Sequence, residues 1–272
     1  MTCLRVVTGA SGMIGAALTR HLAQLPGTLL PLDTHPGPAP AHPDMVLADV
    51  TGPDFVTLLT EQMHGQERAE LYHIAGHVPG LARITDTPTE DFARTVADNL
   101  TTTYTALRAF ALATRQAGVP AAAVLLSSVG ARRAHRYLVG YDAAKAGTES
   151  LVRSFTLEFG QHLAVRAVAL GPIAQSATTA ADGERSSALV SLVPHGTYAD
   201  LEDVARAVAA FGSPHFDTAT GHTLTLDGGL TIQLRPAAIE RPPADTDGAP
   251  ETAGHGHTGQ TNPLNPGSGG TR

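Results

Sequence analysis

The chain has 272 residues, of which 42% are hydrophobic and 16% charged, which is enough for one α/β domain with a large core. Its 18 Lys and Arg against 25 Asp and Glu give a net charge of -7, which counts against nucleic acid or an anionic membrane as the main partner. The single cysteine, Cys3, cannot form an internal disulfide, and neither a signal peptide nor an apolar run long enough to span a bilayer is present, so we predict a cytoplasmic protein.

Short apolar runs alternate with helical patterns as far as about residue 235. The predicted strands are Leu4–Thr8, Thr28–Leu32, Met45–Ala48, Glu70–Ile74, Ala122–Leu126, Val165–Ala169 and Thr223–Leu226. The predicted helices are Met13–Leu25, Asp54–Met63, Thr89–Ala117, Tyr141–Phe159 and Asp200–Phe211, with Thr87 before Pro88 and Asp200 as N-cap candidates. This alternation predicts an α/β fold with a doubly wound, Rossmann-like parallel sheet in a single domain, residues 1–235, and ligands at the carboxyl ends of its strands.

The last part of the chain, residues 236–272, has a different composition. It contains six prolines, seven glycines and no aromatic residue, and its only large aliphatic side chains are Ile239 and Leu264. Because such a segment cannot bury enough apolar surface to offset its chain entropy, we predict a disordered tail. His255 and His257 lie in it without a third ligand nearby, so we predict no metal site.

A glycine-rich turn joins the first predicted strand to the first predicted helix. Its residues with predicted cofactor contacts are Thr8, Gly9, Ser11, Gly12, Met13, Ile14 and Gly15. Glycines permit a tight turn and close approach of the backbone to a pyrophosphate, whose charge the helix N-terminus favours. Asp33 ends the second strand 24 residues after Gly9, where an acidic residue can accept the adenosine ribose hydroxyls. Asp49 and Val50 follow the third strand and are placed to reach adenine, although Asp49 could equally cap a helix.

Tyr141 and Lys145 open a predicted helix and lie on one face of it, since they are four residues apart. A phenol with an ordinary pKa near 10 is a poor acid–base catalyst at neutral pH, but an adjacent ammonium favours the phenolate. The spacing therefore predicts an acid–base pair in which Lys145 lowers the pKa of Tyr141. Tyr137 has Tyr141 rather than a lysine four residues on and is the weaker candidate.

From about residue 4 to residue 232 the chain resembles the short-chain dehydrogenase/reductase family. Ser128 lies 13 residues before Tyr141, as the family's serine does, with Ser127 as a neighbour that we expect to be buried. Asn99 matches the family's asparagine in the long fourth helix. Further matches are the turn Gly171-Pro172-Ile173, which flanks the nicotinamide in that family, and the closing run Leu226-Asp227-Gly228-Gly229. The resemblance implies cofactor contacts for this turn and also for Ala75, Gly76, Tyr141 and Lys145.

Two features depart from the short, single-domain branch of that family. Met13 stands where this branch has its second motif glycine, and Gly12 precedes it, as in the longer branch that acts on nucleotide sugars. Tyr72-His73-Ile74 replaces part of an Asn-Asn-Ala-Gly run, and we expect His73 to be structural. Because too little chain follows the sixth strand to form a separate substrate domain, we interpret the protein as a short-branch member with a variant loop.

The resemblance implies an NAD(P)-dependent oxidoreductase that transfers a hydride between a nicotinamide and a ketone or secondary alcohol. Asn99, Ser128, Tyr141 and Lys145 would be its catalytic residues. We expect NAD rather than NADP, because Asp33 is acidic and Thr34, His35 and Pro36 provide no lysine or arginine beside it. The resemblance also implies a homodimer or homotetramer, and Gln175–Gly196 is a candidate lid. The alternatives are a nucleotide-sugar epimerase or dehydratase with bound NAD, and a non-catalytic dinucleotide-sensing regulator.

Overall fold

Seven parallel strands form one sheet in the computed structural model, which describes residues 2–37, 42–174 and 188–233. The strands are β1 Cys3–Thr8, β2 Thr28–Asp33, β3 Val46–Leu47, β4 Arg68–His73, β5 Ala121–Ser128, β6 Leu163–Leu170 and β7 Thr223–Leu226. Their order is β3-β2-β1-β4-β5-β6-β7. β2 and β3 are added on one side of β1 and β4 to β7 on the other, so the strand order changes direction between β1 and β4. The predicted doubly wound, Rossmann-like α/β fold is confirmed.

Helices cover both faces of the sheet. They are α1 Met13–Leu22, α2 Phe55–Met63, α3 Thr89–Val96, α4 Thr102–Ala117, α5 Val139–Phe159 and α6 Leu201–Gly212. One core packs α2, α4 and α5 against the sheet, and the other packs α1 and α6 against the opposite face. Every residue of β4 and of β6 is buried, as expected for central strands of a parallel sheet covered on both sides.

The predicted helix Thr89–Ala117 is interrupted by a π turn over Ala97–Thr101, which separates α3 from α4. Asn99 lies in this turn, and its side-chain amide donates hydrogen bonds to the carbonyl oxygens of Thr95 at 3.1 Å and His77 at 3.0 Å. The backbone oxygen of Asn99 accepts a hydrogen bond from Thr103 Oγ1 at 2.7 Å. Side-chain groups thus satisfy the backbone where the ordinary helical pattern is broken, and the Asn99 side chain points into the interior.

Some predicted boundaries were wrong. The N-cap position of α3 is Pro88, and Thr87 instead donates through Oγ1 to the Arg83 carbonyl oxygen at 2.8 Å. Asp200 does cap α6, because its side chain accepts a hydrogen bond from the Glu202 amide at 2.9 Å. Residues 175–187 of the candidate lid and the predicted tail, residues 236–272, lie outside the described residues. Within the described ranges, none of the helices has the length and apolar character needed to cross a membrane.

Candidate active site

The glycine-rich turn after β1 packs tightly against the end of β4. Gly9 has φ +74°, and a Cβ there would lie 2.6 Å from the Ala75 amide nitrogen. A Cβ on Gly15 would lie only 1.9 Å from the Gly9 carbonyl oxygen, so both positions require glycine. At Gly12, the N-cap of α1, an added Cβ would lie no closer than 3.4 Å to any neighbouring atom. The first turn of α1 carries no acidic side chain. The turn therefore leaves backbone amides at a helix N-terminus that suits an anion.

A cavity of about 460 Å³ lies above this turn, at the carboxyl ends of β1, β4 and β5. Its lining combines residues from separate parts of the chain: Gly9, Ser11, Gly12, Met13, Ile14, Gly15, Asp33, Thr34, Ile74, Ala75, Gly76, His77, Val78, Asn99, Leu126, Tyr141 and Lys145. A second cavity of about 570 Å³ shares Gly9, Asp33 and Gly76 with it and continues past Thr8 to Asp49 and Val50. The fold thus gathers most of the sequence-predicted site residues around adjoining spaces.

Asp33 ends β2 beside the glycine-rich turn. Its Oδ2 accepts hydrogen bonds from the Ser11 amide at 2.9 Å and the Ser11 hydroxyl at 2.6 Å, while Oδ1 accepts from the Thr34 amide at 2.7 Å and the His35 amide at 3.4 Å. Partial burial would raise the pKa of the Asp33 carboxyl, but these hydrogen bonds outweigh burial and lower it. Asp33 is therefore ionised at neutral pH, and a ligand hydroxyl would have to share or replace its bonds to Ser11.

The second cavity is acidic. Asp49 Oδ1 accepts hydrogen bonds from the Thr51 amide at 2.8 Å and the Thr51 hydroxyl at 2.7 Å, so Asp49 caps a turn as well as lining the cavity. Asp33, Asp49 and Asp98 all lie in the lining, and the described lining residues include no lysine or arginine. This end of the site therefore favours a ligand without additional negative charge.

Tyr141 is held in place by contacts at the start of α5. The next residue, Asp142, accepts hydrogen bonds from the His135 amide at 2.6 Å and pairs with His135 Nδ1 at 2.8 Å, which ties the loop after β5 to the first turn of the helix. Ser128, at the end of β5, is near enough to the Tyr141 phenol to lower its pKa, and its own oxygen accepts from the Gly130 amide at 3.1 Å. Ser128 is not among the described residues that line either cavity. Ser127 is buried, as expected, with its hydroxyl directed at Glu149.

Lys145 is almost fully buried and lies beside Tyr141. Its Nζ is 5.5 Å from the centroid of the Tyr141 ring and donates a hydrogen bond to the Leu126 carbonyl oxygen at 3.0 Å. Burial lowers the pKa of Lys145 from 10.5 to about 8. The ammonium form therefore predominates at neutral pH, although Lys145 loses its proton more readily than a lysine in water.

The prediction that Lys145 lowers the pKa of Tyr141 was wrong for this structure. Burial raises the pKa of the Tyr141 phenol, the nearby Ser128 hydroxyl lowers it, and the charge of Asp142 raises it again, so the net direction is upward. The Lys145 ammonium donates to the Leu126 carbonyl oxygen and lies 5.5 Å from the centroid of the Tyr141 ring, and its charge does not offset the effect of burial on the Tyr141 pKa. Tyr141 is therefore a neutral phenol at neutral pH.

Asn99 leaves one buried acceptor aimed into the site. Its Oδ1 has no hydrogen-bond partner among the described residues and would lie 2.7 Å from a Cβ on Gly76. The same Cβ would lie 3.6 Å from Lys145 Nζ, so Gly76 keeps open the space between the amide and the ammonium. A water with two polar partners fits such a space.

Other predicted residues lie apart from this group. Gly171 to Ile173 follow β6, where the Gly171 amide donates to the Leu226 carbonyl oxygen at 2.9 Å, and they are not among the described residues lining either cavity. Sequence reasoning missed Ile74, His77, Val78 and Leu126 as lining residues. Ile74 and Leu126 are apolar residues in or next to strands, and His77 and Val78 lie in the loop after β4, so none of the four belongs to a recognisable motif. It also overlooked that Lys145 is the only lysine of the chain, since the other 17 basic residues of this kind are all arginines.

Comparison with known proteins supports the resemblance to the short-chain dehydrogenase/reductase family over most of the chain. Residues 35–231 match a family model described as enoyl-(acyl carrier protein) reductase. An uncharacterised short-chain type dehydrogenase/reductase of Sinorhizobium fredii is 30% identical over 259 residues, which cover 90% of this chain but only 46% of the relative. An uncharacterised oxidoreductase of Mycobacterium tuberculosis is 27% identical, with 84% of this chain and 91% of the relative covered.

A solved structure of a member of this family has the same fold. A crystal structure of an oxidoreductase of the short-chain dehydrogenase/reductase family from Burkholderia thailandensis superimposes with a TM-score of 0.72 at 25% identity. The superposition covers 86% of this chain and 94% of the Burkholderia chain. The likeness therefore extends over most of this chain and nearly all of the Burkholderia chain.

Proposed function

Because this chain belongs to the short-chain dehydrogenase/reductase family, whose members use a nicotinamide cofactor, we propose that it transfers a hydride between that cofactor and a ketone or secondary alcohol. The observation that carries the proposal is the lining of one cavity, in which Tyr141, Lys145 and Asn99 meet the glycine-rich turn. An acid–base group thus lies in the same space as an anion-binding helix N-terminus.

The residues present fit a dinucleotide. Glycine is required at positions 9 and 15 to form the turn, Gly12 leaves the N-terminus of α1 open, and Asp33 and Asp49 provide acceptors in the adjoining cavity. Residues of the turn would hold the pyrophosphate, and Asp33 would hold the adenosine ribose. When bound, the nicotinamide supplies or accepts the hydride.

Tyr141 is the proposed proton donor and acceptor for the substrate oxygen. As a neutral phenol it is already in the state that reduction of a carbonyl requires, because it can donate its proton as negative charge develops on that oxygen. Ser128, whose side chain is near enough to the Tyr141 phenol to lower its pKa, would hold and polarise the carbonyl oxygen. Oxidation of an alcohol needs the phenolate instead, so the pKa of Tyr141 must fall in the loaded enzyme for that direction.

Lys145 and Asn99 would resupply the proton. The Lys145 ammonium and the unpartnered Asn99 Oδ1 flank the space beside Gly76, and a water held there could pass a proton toward Tyr141. Lys145 is suited to this role because a pKa of about 8 lets it lose and regain a proton near neutral pH.

We propose NAD rather than NADP as the preferred cofactor. Asp33 is ionised, and Asp49 and Asp98 add negative charge to the lining of the second cavity, where a 2′-phosphate would have no arginine or lysine among the described residues. Charge repulsion therefore disfavours the phosphorylated cofactor.

We also propose a homodimer or homotetramer formed through α4 and α5. Large apolar side chains on these helices are exposed, including Tyr104 and Leu157, the latter 90% exposed. An isologous contact along the two helices would cover them. Light scattering at micromolar concentration tests this assembly, and a stable monomer would contradict it.

We further propose that residues 1–235 form one catalytic domain and that residues 236–272 are a dispensable tail. Truncation after residue 235 should therefore leave folding and activity intact.

The test of function is a panel of ketones, secondary alcohols and sugars assayed with NADH, NADPH and their oxidised forms. We expect net oxidation or reduction of the nicotinamide with at least one substrate. A purified protein that retains NAD and isomerises a nucleotide sugar without net absorbance change would instead indicate the epimerase alternative. A protein that binds NAD and turns over no member of the panel would indicate a regulator.

A further inference from the structure

Behind the cavity lies a buried histidine that the proposed mechanism does not use. His73 ends β4, is 1% exposed, and pairs through Nδ1 with Thr8 Oγ1 on the neighbouring strand at 2.8 Å. Its other ring nitrogen, Nε2, has no partner among the described residues. A buried polar atom without a partner costs free energy unless a water or a nearby group satisfies it.

Lys145 carries unpaired donors and is near enough to His73 for its charge to lower the pKa of the imidazole. In the sheet, His73 is aligned with Leu125 of β5, and Lys145 Nζ donates to the carbonyl oxygen of the next residue, Leu126, at 3.0 Å. An ammonium has three N–H donors, of which one has an acceptor in the described part of the chain. Two buried acceptors without donors, Asn99 Oδ1 and His73 Nε2, therefore lie near an ammonium with two donors to spare.

We propose that His73 is a positioning residue whose Nε2 accepts a hydrogen bond from Lys145 Nζ, directly or through one buried water, and so holds the ammonium at the floor of the cavity. The inference rests on the proposed function for its catalytic meaning, but the contact itself does not. It requires the neutral tautomer in which Nδ1–H donates to Thr8 Oγ1 and Nε2 carries the lone pair.

The surrounding charges are consistent with this tautomer. Burial, and after it the charge of Lys145, lowers the pKa of His73 to about 3, so the imidazole is neutral throughout the physiological range. Tyr141 on α5 is a neutral phenol, and Glu149, one turn beyond Lys145, is paired with Arg132 at 3.0 Å. The Asn99 amide from the π turn is uncharged. A lone pair at Nε2 therefore faces a cation rather than another acceptor.

Two substitutions separate this role from a purely structural one. The amide of asparagine occupies the place of Nδ1, so His73→Asn can keep the contact with Thr8 but removes the group at Nε2. The amide of glutamine reaches the place of Nε2, so His73→Gln keeps an acceptor toward Lys145 and gives up the contact with Thr8.

The measurement is the pKa of Lys145 in the cofactor-free protein, from lysine labelled with ¹³C at Cε. Because Lys145 is the only lysine, the spectrum contains one such signal and needs no assignment. We expect His73→Gln to keep the pKa near the wild-type value of about 8. We expect His73→Asn to lower it by about one pH unit, the size that loss of one hydrogen bond to a charged group implies. An unchanged pKa in His73→Asn overturns the proposal.

A second measurement decides the question if a variant does not fold. Long-range ¹H–¹⁵N spectra of the wild-type protein report which nitrogen of His73 carries the proton, and its signal is recognised because it stays neutral as the pH is lowered to about 5. A protonated Nε2 contradicts the proposal. Neither measurement uses a substrate, so failure here leaves the proposed hydride transfer standing, and a panel without turnover leaves the contact standing.

Discussion

Removal of the Asp33 charge should reduce the preference for NAD. Asp33→Asn keeps the size of the side chain and an acceptor for the Ser11 amide and hydroxyl, both of which contact Oδ2 in the structure. The substitution gives up the acceptor for the Thr34 and His35 amides, a loss that affects both cofactors alike. What it removes for NADPH alone is the repulsion between the carboxylate and the 2′-phosphate. Two unit charges about 4 Å apart interact by about 1 kcal/mol in bulk water and about 4 kcal/mol near a protein surface.

Because Asp33 is half-buried, the repulsion falls between these limits. We therefore expect wild-type protein to bind NADH about 10- to 100-fold more tightly than NADPH, and Asp33→Asn to lose most of that ratio. The assay is titration of both reduced cofactors, followed by their fluorescence, at two salt concentrations. Higher salt should bring the NADH and NADPH affinities of the wild-type protein closer together, because screening weakens the repulsion between Asp33 and the 2′-phosphate.

Asp49→Asn is the matched control. Asp49 lies in the same lining but holds Thr51 and is expected to face adenine rather than the 2′-phosphate, so its substitution should change the ratio of NADH to NADPH affinity much less than Asp33→Asn does. An unchanged ratio of NADH to NADPH affinity in Asp33→Asn, or a wild-type preference for NADPH, would refute the electrostatic reasoning.

Two further predictions concern stability. Lys145→Met should raise the free energy of unfolding at pH 7 by about 3 kcal/mol, because the buried ammonium, with its pKa lowered from 10.5 to about 8, destabilises the folded state. Between those two pH values the folded protein has lost a proton that the unfolded chain still holds, so wild-type stability rises with pH and the advantage of Lys145→Met shrinks. Denaturant unfolding followed by circular dichroism measures both effects, and a destabilised Lys145→Met at pH 7 would contradict them. Gly15→Ala should cost at least about 2 kcal/mol, because its Cβ would lie 1.9 Å from the Gly9 carbonyl oxygen. Gly12→Ala should cost less than about 1 kcal/mol while weakening NADH binding, and equal losses of stability in the two variants would contradict this account of the turn.

The sequence predicts the sheet and the strand-end residues well because both depend on local patterns. Gly9, Gly15 and Asp33 follow apolar strands, and parallel strands end at the same edge of a sheet, so their proximity follows from topology. The Tyr141–Lys145 spacing likewise places two side chains on one helical face.

Features that depend on tertiary contacts could not be predicted in this way. The π turn at Asn99 depends on hydrogen bonds to His77 and Thr95, and helical periodicity alone gives an unbroken helix. The upward direction of the Tyr141 pKa depends on how deeply α5 is buried, which the spacing to Lys145 does not reveal. The free Nε2 of His73 depends on which partners the neighbouring strands and helices provide.

The central claim is that Tyr141 exchanges a proton with the substrate during hydride transfer. Its most direct test is the turnover of Tyr141→Phe with a substrate identified from the panel, followed by the absorbance of the reduced nicotinamide. Tyr137→Phe, on the preceding loop, is the matched control. We expect Tyr141→Phe to lower kcat by a factor on the order of 10² to 10⁴ while NADH still binds, and Tyr137→Phe to stay near wild type. Near-normal turnover in Tyr141→Phe would contradict the assignment of Tyr141 as the proton donor.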